Sequence, residues 1–294
     1  MNLTYINNDY FKFLFVPIII LTIYFLNPLN IFVNGNELTF VSVIVSCFTI
    51  EYFIQKAKNG QSIYMRPIPA MKAMEEAVGR ATEMGKPVLY VPGISGLDEI
   101  DTIAGVIILG HIAGMTAEYE ADLHVPCCVP IVMEAAKESC RDAYLKKGRP
   151  DLFKNDMVHY VTDDQFAYAA GVNGIMLREK PAAIFYQGKF YAESLILAET
   201  GSSIGSIQVA GTGSSSQIPF FVTACDYVLI GEEFYAASAY LSGSPEMIGS
   251  IKGQDYVKLA CMVFIFVVVI SSILNYMNLS SYDLLEIFKI NIQG

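Results

Sequence analysis

The chain has 294 residues, of which 53% are hydrophobic and 16% charged, with a formal net charge of −10; its mean hydropathy is +0.43. The acidic balance excludes a nucleic-acid binder, which needs clustered Lys and Arg to neutralise phosphates. The low charge content, against about 25% in an ordinary soluble domain, places part of the chain in lipid. Six cysteines in a chain this long are no disulfide framework, and free thiols suit a reducing compartment.

Taken in order, the first elements are apolar runs at 11–33 and 38–53, and a third follows at 259–277. About 20 apolar residues span a bilayer, so three transmembrane helices are expected. Lys56, Lys58 and Arg66 follow the second run, Lys252 and Lys258 precede the third, and the 34–37 loop has neither Lys nor Arg. By the positive-inside rule the central region is cytoplasmic, in a multi-pass protein of the cell membrane. The expected organisation is a two-span hairpin over 1–57, a cytoplasmic domain over 58–255, a third span over 256–277 and a short extracytoplasmic tail over 278–294.

Between the second and third runs, short β-rich runs appear at 87–91, 122–126, 157–161, 182–186, 207–211 and 227–231. Each is nearly continuous in apolar residues, as strands buried on both faces are. Helical stretches alternate with them. The reading is a doubly wound, mostly parallel six-stranded α/β sheet, Rossmann-like, tethered by three transmembrane helices.

The segments RPIPAMKAMEEAVGRATEMGKPVLYVPG (66–93) and ACDYVLIGEEFYAASAYLSGSPEMIGSIKGQD (224–255) resemble a family of prokaryotic membrane proteins known only as a domain of unknown function. The resemblance implies a membrane-tethered domain over roughly 60–258 and carries no activity, cofactor or site residue.

Two Gly/Ser loops flank the fifth strand. GSSIG (201–205) matches a G-x-S-x-G pattern around Ser203, but that motif needs a strand before it and a helix after it. Here the order is reversed, so a helix C-cap at Gly201 and a tight turn are expected. GTGSSSQ (211–217) follows a strand and opens a helix, where free amides bind anions. Gly211, Thr212, Gly213, Ser214, Ser215 and Ser216 are the candidate ligand residues, with Gly93 and Ser95 after the first strand. The third glycine of a dinucleotide fingerprint is replaced by Ser216, and no Walker lysine follows. Asp163, Asp164, Glu232 and Glu233 are candidate divalent-cation ligands at the same sheet edge, although acidic residues also suit first helical turns. His111, His124 and His159 show no zinc spacing. No catalytic residue is assigned and no cofactor can be named.

From Phe190 to Ile251 the chain has no Lys or Arg and six carboxylates. A free surface normally mixes both signs, so a subunit contact is expected there, with Tyr235, Ala237, Ala239 and Tyr240 as its patch. Three functions follow. The first is a homo-oligomeric structural or assembly protein on the membrane. The second is a tethered binder of a small, nucleotide-like anion at 211–217. The third is a hydrolase or nucleotide-dependent enzyme.

Overall fold

The computed structural model describes residues 37–60 and 68–277. The first expected span, 11–33, and the 278–294 tail lie outside the described residues. The chain divides into two compact units, one holding residues 64–244 and the other the flanking segments.

The 64–244 unit is a six-stranded sheet with every pairing parallel. Its strands are β1 (Val88–Val91), β2 (Leu123–Cys127), β3 (Val158–Tyr160), β4 (Ala183–Gln187), β5 (Ile207–Thr212) and β6 (Tyr227–Ile230), in spatial order β3-β2-β1-β4-β5-β6. The apolar runs of the sequence are thus strands, within a residue or two. The central pair, β1 and β4, is buried along its whole length, because helices cover both faces.

One face carries α2 (Pro69–Glu83), α3 (Ile100–Tyr119), α4 (Pro130–Lys146) and α8 (Glu232–Ser242). The other carries α5 (Gln165–Glu179), α6 (Glu193–Ser203) and α7 (Ile218–Ala224). Helix α2 buries Ala70, Ala73, Met74, Ala77, Val78 and Ala81, the 3–4 spacing of an amphipathic helix. On the second face the Phe221 ring stacks on Tyr186 at 5.7 Å and meets Phe190 edge to face at 5.3 Å, while Tyr186 and Phe190 lie 6.3 Å apart. All three are fully buried, and losing Phe190 to Ala would cost about 3–5 kcal/mol.

Helix α3 is long and apolar enough to cross a membrane, but 67% of its apolar window is buried. Its contacts are with the sheet, α2, α4 and α8, so it is the core helix of this unit. The second helix that passes the same test lies in the other unit. There α1 (Glu37–Lys58) packs against α9 (Pro245–Tyr276). Gly249 and Gly253, four residues apart on α9, face α1 so closely that a Cβ would fall 2.5 Å from the Ile54 Cα and 2.6 Å from the Ile50 Cα. Small residues at that spacing let helix backbones approach. Phe53 stacks on Tyr256 at 4.7 Å and Lys58 pairs with Glu246 at 3.2 Å. Beyond Lys258 α9 is apolar on all sides, and none of its best apolar window is buried. A helix of that kind meets lipid or another protein rather than water. Helices α3 and α9 are the two that are long and apolar enough to cross a membrane among the described residues.

Candidate functional site

In an open parallel sheet, ligands enter outside the carboxyl ends of the strands, where the chain order reverses. That reversal falls between β1 and β4. Here the two loops close on one another. The Ile94 N–H donates to the Lys189 carbonyl at 3.0 Å. Gly93 has φ +82° and Gly188 has φ +145°. A Cβ on Gly93 would fall 2.5 Å from the Lys189 carbonyl oxygen, and one on Gly188 2.5 Å from that of Pro92. Gly93 therefore serves backbone-to-backbone contact between the loops.

Over this closure lies the first turn of α3. The Lys189 ammonium pairs with Glu99 at 2.5 Å. Thr102 Oγ1 donates to the Ser95 carbonyl at 3.3 Å. Asp101, only 7% exposed, accepts a hydrogen bond from the Tyr235 hydroxyl. Burial and this carboxylate both raise the Tyr235 pKa, so the phenol remains a donor. Gly213 lies directly beneath, where a Cβ would fall 2.7 Å from Tyr235 Cζ. The turn of α3 thus brings Ser95 and the 211–216 loop to one place.

The loop after β5 is tied down by its own side chains. Thr212 is fully buried, and its Oγ1 accepts from the Ser214 N–H at 3.2 Å. The Ser214 and Ser216 hydroxyls are 3.0 Å apart, and Gln217 Nε2 donates to Ser216 Oγ at 2.9 Å. Gly211 faces the Gln187 side chain and the Phe234 ring. The Ser215 and Ser216 amides make no hydrogen bond with a described residue.

The four candidate cation ligands are not brought together. Asp163 and Asp164 follow β3, Glu232 and Glu233 follow β6, and these are the outermost strands of the sheet. Five strand spacings, roughly 24 Å, separate them. Asp164 caps α5 by accepting from the Ala167 N–H at 2.8 Å. Among the described residues no three His, Cys, Asp or Glu side chains group as metal ligands. Ser203 ends α6 on the amino side of β5, its hydroxyl donating to the Thr200 carbonyl at 2.7 Å. The turn glycine there is Gly205, at φ +73°. Gly201 is instead inside the helix, where it makes room for the Gln208 amide and the Tyr186 hydroxyl.

Two buried polar residues at the carboxyl edge, Glu193 and Gln187, escaped the sequence reading. Glu193 is fully buried in the first turn of α6, with Oε1 on the Tyr191 N–H at 2.9 Å and Oε2 on Gln165 Nε2 at 2.5 Å. Gln187 is fully buried, donates from Nε2 to the Val209 carbonyl at 3.0 Å and leaves Oε1 without a partner. Cys128 is pushed up to about 11, by burial first and then by Asp163, Glu193 and Asp164, so it is not a thiolate nucleophile at neutral pH. For Glu193 and Gln187 the signal was a polar residue inside an apolar run.

Ala237 and Ala239, expected on a subunit contact, are both fully buried, Ala237 in the core cluster shared with α3, and only Tyr240 of that patch is well exposed. Exposed apolar side chains sit elsewhere in the Lys- and Arg-free stretch: Leu195 and Ile196 on α6, Phe220 and Val222 on α7, Tyr227 and Ile230 on β6.

The family model described as Domain of unknown function (DUF6754) matches residues 28–283. No curated protein and no solved structure matches the chain.

Proposed function

We propose that this chain, which belongs to the DUF6754 family, works as a membrane-anchored assembly protein whose α/β unit associates with further copies of itself. The observation that carries the reading is the outer face of α6 and α7 together with strand β6. The two helices pack side by side. Their outward residues include Ile196 and Val222, the latter 53% exposed, and β6 ends the sheet with Ile230 at 48%. No Lys or Arg occurs from Phe190 to Ile251. An unpaired strand edge without basic residues lacks the usual protection against pairing, and exposed apolar side chains on the neighbouring helices favour an interaction surface. Anchoring in a bilayer holds copies at high effective concentration, which favours such contacts.

The reading includes a cytoplasmic α/β unit, from the loop charges. A cysteine probe at Asn36, in a background without native thiols, is expected to label from outside intact cells, and one at Lys147 is not; the reverse pattern sinks the orientation. Native mass spectrometry in mild detergent tests the assembly. The wild-type chain is expected as a homo-oligomer, and Ile196→Lys with Val222→Lys is expected to weaken it roughly tenfold or more, as charge in an interface core does. Circular dichroism should show the fold retained. A monomer at all concentrations, or an oligomer indifferent to both charges and to Ile230→Lys, refutes the reading.

A second reading is a small phosphate-like anion at the loop after β5. The unbonded Ser215 and Ser216 amides favour it. Calorimetry with inorganic phosphate and with a nucleoside monophosphate separates the readings: saturable heat that Ser214→Ala with Ser216→Ala abolishes supports the loop, and none counts against it.

A further inference from the structure

We infer that the amino edge of the sheet, opposite the carboxyl-edge loops, carries a binding cleft for an elongated aliphatic polyamine. The cleft has a volume of about 670 Å³, within the range of small-molecule sites. Helix α2 forms its wall from Ala73 to Glu83. Ten residues of helical rise make that wall about 15 Å long, so the site is a trough rather than a round pocket. Ala73, Ala77 and Ile207 supply apolar lining. The beginnings of β5 and β6 close the other side.

The lining charges are unequal. Glu76, Glu83 and Asp226 face the cleft, against the single guanidinium of Arg80. Asp226 is fixed in place, because its Oδ2 accepts the Gln208 N–H at 2.8 Å. Arg80 makes no ion pair with a described residue, although Glu76 and Glu83 lie one turn away on either side. The carboxylates are therefore not consumed by their cationic neighbour. Tyr227, 44% exposed at the cleft, adds an aromatic face that attracts ammonium groups.

Gly79 is the independent clue. It stands in the interior of α2, where glycine weakens a helix relative to alanine. Nothing lies within 4 Å of the position its Cβ would take. No packing within the unit asks for glycine there, and the residue lines the cleft. Close approach of a ligand to the helix backbone is what the missing side chain permits. Spaced carboxylates along an apolar trough match ammonium groups spaced by methylenes. A compact inorganic cation leaves the apolar lining unused, and an anion meets a net negative wall.

Calorimetry on the full chain in mild detergent, with spermidine as the probe, tests the site. One saturable site per chain is expected. Gly79→Leu fills the trough and is expected to weaken binding roughly tenfold or more, as is Glu76→Gln with Glu83→Gln. Leucine is a better helix former than glycine, so the thermal midpoint should hold or rise and a folding defect cannot mimic the loss. Arg80→Gln removes the competing charge and is expected to tighten binding severalfold. The inference is overturned by absence of saturable binding, by affinity indifferent to Gly79→Leu, by weaker binding in Arg80→Gln, or by Mg²⁺ competing as well as the polyamine.

Discussion

Gly93 and Tyr235 show how single residues shape the carboxyl edge. Gly93 combines a left-handed φ of +82° with a carbonyl oxygen 2.5 Å from the place of a Cβ. An alanine there has to distort its own backbone and part the loops after β1 and β4. Gly93→Ala is expected to destabilise the α/β unit by about 1–3 kcal/mol, read as a lower denaturation midpoint. Gly96→Ala is the comparison, because the atom it meets is the far end of the flexible Asp98 side chain. Equal losses in the two variants would show that the closure of the crevice is not what Gly93 protects. Tyr235 does the opposite work, drawing α8 to α3 through Asp101. Its neighbour Gly213 is a glycine for room, since the phenol occupies the space of a side chain.

At the scale of elements, the pairing of α1 with α9 rests on close backbone approach. Gly253 on α9 meets the Ile50 Cα, and Gly249 meets Ile54, with Phe53 and Tyr256 stacked beside them. Larger residues have to push the helices apart in proportion to their size. Gly253→Ala, →Val and →Leu are expected to lower the thermal midpoint in detergent in that order, the loss growing from under 1 to about 3 kcal/mol. A flat series, or stabilisation by the better helix former alanine, would remove the close-packing account. Helix α8 gives the complementary lesson. Its alanines look like an exposed patch in the sequence, yet Ala237 and Ala239 are fully buried. Ala237 is small because it packs in the cluster that α3 shares.

For the molecule as a whole, protonation links the buried thiols and phenols to stability. Burial pushes Cys127, Cys140 and Cys225 up to about 12. It also raises the buried phenols of Tyr90, Tyr168 and Tyr186 well above their ordinary value. In every case the folded state holds a proton that the unfolded chain releases more readily. Their contribution is therefore fully present below about pH 8.5, the ordinary thiol value, and is lost as pH rises towards the folded values. Each fully buried thiol removes up to about 1.4 kcal/mol per pH unit in that window. Denaturation midpoints between pH 7 and 11 are expected to be level to about pH 8.5 and then to fall. Cys140→Ala should flatten the fall while lowering the plateau. A profile level to pH 11 contradicts the link.

Local pattern alone decides much of this protein. Continuous apolar runs such as VLYV and AIFYQ can only be strands covered on both faces, and their alternation with amphipathic helices leaves little but a parallel α/β sheet. The apolar run from Leu259 likewise announces a helix long and apolar enough to cross a membrane. What local pattern cannot carry is which strands are neighbours. The order β3-β2-β1-β4-β5-β6 sends Asp163 and Glu232 to opposite ends of the sheet, although both follow a strand in the same way. It sets Asp101 beside Tyr235, 134 positions away. Composition misleads for the same reason with Ala237, whose burial depends on a partner helix far along the chain. Even the apolar length of α3 reads the same for a core helix as for a span, and the sheet beneath it decides the matter. Secondary structure follows from interactions over a few residues, whereas sites are made by contacts between distant ones, and those exist only once the sheet has its order.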